Sequence, residues 1–130
     1  MRTYVRFVLT LILLGTITGI ATAQPVQDVV VAGIVVLRIR VPAGGLSVAE
    51  RADLVTRRIT LALTAENLEP SNFLLQPASG SVAIRVGRIT LITVTSADAQ
   101  ANATTVQALA GQWLRALRAA LPRAKPLTRP

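Results

Sequence analysis

The chain contains no cysteine and no histidine. Disulfides are therefore excluded, and the two side chains that supply most transition-metal sites are missing. Aromatic residues make up only 3% of the 130 positions, with a single tryptophan. The aromatics that interleave with basic residues in single-strand binders are thus absent, and nucleic acid is not an expected partner. Acidic side chains number six against fourteen basic ones. General acid–base chemistry wants a paired carboxylate, a histidine or a suitably placed lysine. The acids are Asp28, Glu50, Asp53, Glu66, Glu69 and Asp98, and the one lysine, Lys125, falls near the C-terminus. No base is evident beside any serine or threonine. The expectation is a protein that is not an enzyme, with no catalytic residue, no metal and no cofactor.

What is present begins with a leader. Arg2 and Arg6 flank a basic start, and Phe7 to Ile20 is a mostly apolar run of 14 residues. Ala21-Thr22-Ala23 is the small-residue pattern that a signal peptidase reads. Residues 1–23 are expected to be a signal peptide cleaved before Gln24, with export to the periplasm or cell envelope. The alternative is an uncleaved anchor, although a bilayer-spanning helix takes ~20 apolar residues. Cleavage would leave 107 residues with twelve basic and six acidic side chains, a net charge of +6. Such a charge suits either solubility or an acidic partner: anionic lipid, a cell-wall polymer or an acidic protein face.

The mature chain is organised around Ser81 to Asp98. Val82, Ile84 and Val86 alternate with Ala83 and Arg85, the period of a half-buried strand. Gly87-Arg88 follows as a two-residue turn, and Ile89 to Thr95 is rich in β-branched residues. An uninterrupted register pairs Val86 with Ile89, Ile84 with Leu91 and Val82 with Thr93 on the core side. It pairs Arg85 with Thr90 and Ala83 with Ile92 on the other. Upstream, Val29 to Val41 reads as two strands meeting at Ala32-Gly33. There Val30, Val35, Leu37 and Ile39 point one way, and Val29, Val31, Ile34, Val36, Arg38 and Arg40 the other. Phe73 to Gln76 is a further strand.

Two helices are expected. Ser47-Val48-Ala49-Glu50 is a capping box, opening a helix that ends near Thr64. Its buried stripe is Val48, Ala52, Val55, Ile59 and Ala62. Thr104-Thr105-Val106-Gln107 offers a second box, opening a helix to Leu121 with Val106, Leu109, Trp113, Leu117 and Ala120 inward. Pro122 marks its stop, and 122–130 form a flexible basic tail. Asp98 is read as a backbone-bonding turn residue and Trp113 as core.

The order is β-β-α-β-β-β-α, an α+β two-layer sandwich with both helices on one face of a small, mostly antiparallel sheet, as a single domain over 24–121. Val29 to Leu121 resembles the extramembrane domain that precedes the membrane helices of bacterial mechanosensitive channel proteins of the small-conductance type. The likeness rests on the hairpin and strand from Gly33 to Ile39, on Ala49-Glu50-Arg51-Ala52, on the Thr93 to Ala99 corner, and on Trp113 followed by Ala119 to Leu121. The hairpin lacks the Asp-Gly of that family, and nothing after Leu121 can cross a membrane. The resemblance implies a detached relative of an accessory domain, without the channel.

If both helices cover one face, the other exposes Val29, Val31, Ile34, Val36, Ile92 and Val94 beside Arg38, Arg40 and Arg85. Such a patch marks an interaction surface. The expected role is association with an envelope protein or with a second copy. The alternative is attachment to anionic lipid or cell-wall polymer through the arginines and the tail.

Overall fold

The computed structural model describes residues 25–125. The expected leader, its cleavage point and the last residues of the tail lie outside them. The fold is α+β, with strands β1 (Gln27–Val31), β2 (Ile34–Ile39), β3 (Phe73–Ala78), β4 (Ser81–Val86) and β5 (Ile89–Val94). The helices are α1 (Val48–Ala65), α2 (Ser96–Ala101) and α3 (Val106–Ala124), with a 3-10 turn at Pro70–Asn72. The one sheet expected from the sequence is two: an antiparallel β1–β2 hairpin and an antiparallel β3–β4–β5 meander. Helix α1 packs against β1 and β5, and α3 against β2, β3 and β4. The two helices thus join the sheets through one shared core.

Local chemistry places the helix starts. The Ser47 hydroxyl accepts the Glu50 N–H at 3.1 Å, and the Ser47 N–H donates to the Glu50 carboxylate at 3.2 Å. The stripe Val48, Ala52, Val55, Ile59, Ala62 is buried as the spacing requires. Ser47→Ala is expected to cost ~1 kcal/mol of stability, measured by urea denaturation, because a helix-end donor loses its acceptor. The start of α3 differs by one residue from expectation. Thr105, not Thr104, is the cap, and its hydroxyl accepts the Ala108 N–H at 3.1 Å. The second reciprocal box lies instead at the strand-to-helix corner, where Thr95 and Asp98 cap α2. Helix α3 also continues past Pro122 to Ala124. A proline in the last turn removes only one helical donor, so the apolar contacts of Leu121 carry the helix through it.

The turns of the β1–β2 and β4–β5 hairpins form where glycine permits. Ala32 and Gly33 have φ of 50° and 78°, and Gly87 has φ of 54°. Beyond each turn the register departs from simple alternation. In the first hairpin Val31 pairs with Ile34 and Val30 with Val35, after which Val29 pairs with Leu37. Val36 is the extra residue of a bulge. In the second, Val86 pairs with Ile89 and Arg85 with Thr90, after which Ile84 pairs with Ile92, Ala83 with Thr93 and Val82 with Val94. Leu91 is the extra residue there.

These bulges correct the assignment of faces. Val29, Val31, Val36, Ile92 and Val94, expected outside, are all buried in the core. Ile34, paired with Val31, is half-buried and packs on the same cluster. An extra residue reverses the parity of everything beyond it. It lets Val36 with Leu37, and Leu91 with Ile92, face inward as consecutive pairs. Each large apolar side chain brought in contributes about 1.5–3 kcal/mol, more than enough to select the bulged register.

Candidate functional site

With the apolar members of the expected patch inside the core, its three arginines are what remains at the surface. Arg38 stands opposite Asp28 on the outer face of the first hairpin. Its Nε donates to Asp28 Oδ1 at 2.6 Å and its Nη2 to Oδ2 at 3.1 Å. Arg40 Nε donates to Asn102 Oδ1 at 3.2 Å, tying the end of β2 to the start of the α3 region. Arg85 belongs to the other sheet, where its guanidinium donates to Gln76 Oε1 and to the Arg88 carbonyl. The structure therefore brings Arg38 and Arg40 together at the end of β2 and leaves Arg85 apart.

The Arg38 guanidinium holds the Asp28 carboxyl below its ordinary range, chiefly through the hydrogen bond. A depressed folded value means the contribution is present above the unfolded pKa and is lost as pH falls through the folded one. That loss is confined to pH below about 4. An NMR titration of the Asp28 carboxyl is expected to show a midpoint below the usual carboxylate value, moved upward in Arg38→Gln. An unchanged midpoint in that variant would exclude the pairing in solution.

A groove of about 250 Å³ lies beside β2. Its walls are Val35 to Arg38 and Arg40 of the strand side, and Leu109, Gln112, Trp113 and Ala116 of α3. Among the described residues β2 pairs only with β1, so its other edge is free. Trp113 belongs to the core, at 5% exposure, and also lines this groove. The free edge of β3 is different. Its Phe73 carbonyl accepts from Arg118 Nη2 at 2.8 Å, and Pro77 has no N–H to offer. Those are devices that blunt an edge, although Leu74 beside them is exposed.

The deepest polar feature was not legible as a site. Arg51 sits inside the apolar stripe of α1 and reaches the α2 corner. Its Nη1 and Nη2 donate to Asp98 Oδ1 and Oδ2 at 2.8 and 2.9 Å, with side-chain exposures of 6% and 1%. The same guanidinium donates to the carbonyls of Val41 and Thr93. Asp98 also accepts the Thr95 N–H at 2.9 Å and the Thr95 hydroxyl at 3.0 Å. The turn chemistry expected of Asp98 is thus present, with a buried ion pair added. The available signal was an arginine three residues after Val48 on an otherwise apolar stripe, together with an acid at a strand-to-helix corner.

Two of the remaining carboxylates also have local partners. Glu50 closes its capping box, and Glu66 accepts the Arg88 N–H at the Gly87-Arg88 turn. Among the described residues no cluster of three acidic side chains could hold a metal ion, and no helix is long and apolar enough to cross a membrane.

A family model described as "Domain of unknown function (DUF8459)" matches residues 28–124. No curated protein and no solved structure matches the chain.

Proposed function

The chain belongs to the DUF8459 family, and from its fold we propose that it is a non-enzymatic, exported protein-binding module of the cell envelope. The partner contributes an extended segment that adds to β2 as a third strand. The observation that carries this reading is the unpaired β2 edge opening on a groove floored by Leu109 and Trp113. An added strand gains main-chain hydrogen bonds from the edge, and alternate side chains reach the groove.

The charge around the groove favours an acidic segment. Arg40 is exposed and bonds only a neutral amide among the described residues. A second copy docking edge to edge would bring another Arg40 to the same rim, so a partner strand carrying acids fits better than self-pairing. The likeness of the Ala49 to Ala52 and Thr93 to Ala99 stretches to an extramembrane channel domain supports a partner among envelope membrane proteins. The basic start and Ala21-Thr22-Ala23 support export.

The single tryptophan reports on the groove directly. Titration with extended decapeptides alternating valine and glutamate is expected to shift Trp113 emission saturably. Arg40→Glu should weaken that response, and peptides with lysine in place of glutamate should give none. Binding driven by the apolar groove persists in added salt, whereas attachment through surface charge alone fades. If no acidic peptide perturbs Trp113, or if Arg40→Glu binds equally well, the β2 edge is not the contact surface.

A further inference from the structure

A second groove, independent of the β2 edge, lies between α1, β5 and the loop after β2. Its volume is about 320 Å³, at the small end of the roughly 300–1,000 Å³ range of small-molecule sites. Val55 and Ile92 form a buried apolar floor, and Leu46 and Leu54 stand half-buried along the sides. The loop wall is self-supporting. Ala43 and Leu46 exchange both backbone hydrogen bonds, at 3.1 and 2.9 Å, around Gly44-Gly45. The groove is therefore pre-formed by a short bonded turn.

Two arginines line this space, and they are not equivalent. Arg51 is neutralised by Asp98 and its N–H groups are directed at Asp98, Val41 and Thr93. Arg58 lies one helical turn beyond Leu54, is half-buried, and makes no side-chain hydrogen bond or ion pair among the described residues. An unpaired cation beside an apolar trough can offer charge-assisted hydrogen bonds to an anion whose apolar body covers the trough. We propose that this groove binds a small carboxylate with an unbranched alkyl body, of the medium-chain fatty acid class. The chain lies along Leu46, Leu54, Val55 and Ile92, and the carboxylate pairs with Arg58. Arg51 stays with Asp98 and serves as part of the wall.

The test is methyl NMR on the purified protein, titrated with decanoate, 1-decanol and decyltrimethylammonium below their aggregation thresholds. Decanoate is expected to shift the Leu46, Leu54 and Ile92 methyls saturably. Decanol should bind about tenfold more weakly, and the ammonium more weakly still. Arg58→Gln should weaken decanoate by about the same factor while leaving decanol unchanged. Leu54→Trp, which fills the trough, should abolish both. Arg58 and Leu54 are not fully buried, and the Arg58→Gln protein serves as its own folding control through the unchanged decanol response. Absence of saturable shifts, an unchanged ratio of decanoate to decanol in Arg58→Gln, or shifts confined to methyls beside Trp113 would each overturn the assignment.

Discussion

Asp98→Ala is expected to lower the stability of the fold by about 3–5 kcal/mol, the range for removing one partner of a buried ion pair. The variant strands the Arg51 guanidinium, whose side chain is 6% exposed, without its counter-charge. It also deprives the Thr95 N–H and hydroxyl of their acceptor at the start of α2. Chemical denaturation monitored by far-UV circular dichroism reads the loss. The pair joins positions 47 apart in the chain, so the damage falls on the junction of α1, β5 and α2 together. Replacing both partners, as in Arg51→Met with Asp98→Leu, is expected to recover much of that loss because no charge is left buried. A single Asp98→Ala variant within about 1 kcal/mol of the parent would show that water reaches Arg51 and that the pair is not sealed.

Trp113→Ala is expected to cost about 3–5 kcal/mol, through lost burial and the cavity left behind. Trp113 lies on the buried stripe of α3 with Leu109, Ala110, Leu114 and Leu117. It faces β2 across the groove, so truncation removes core contacts and groove floor at once. Trp113→Phe separates the two contributions. It keeps most of the apolar area, and its stability is expected to lie close to the parent. If Trp113→Ala melts unchanged, the indole is a surface platform and not part of the core.

The sequence alone was enough for most features that depend on neighbours a few residues apart. The Ser47–Glu50 box, the apolar stripe of α1, the turns at Ala32-Gly33 and Gly87-Arg88, and the α+β order apart from the short α2 all follow from short-range spacing. Each is built from contacts within one turn of helix or one hairpin. Even the errors at the ends of α3, Thr105 for Thr104 and three more residues through Pro122 to Ala124, are local in scale.

The faces of the strands were decided otherwise. Val29, Val31, Val36, Ile92 and Val94 were expected outside because strict alternation was carried through Val36 and Leu91. Each of those two positions is bulged, and a bulge is selected by what the helices need beneath the sheet, not by the strand's own pattern. The same holds for the division into two sheets. The Arg51–Asp98 pair is the clearest case. Either residue alone reads as an ordinary helix arginine or a turn acid. Their pairing exists only because α1 and the β5–α2 corner are packed side by side, where low exposure makes an unpaired charge costly and a paired one tolerable. Local sequence set the elements and their caps; the packing of distant elements set which side chains they bury and which polar groups must meet.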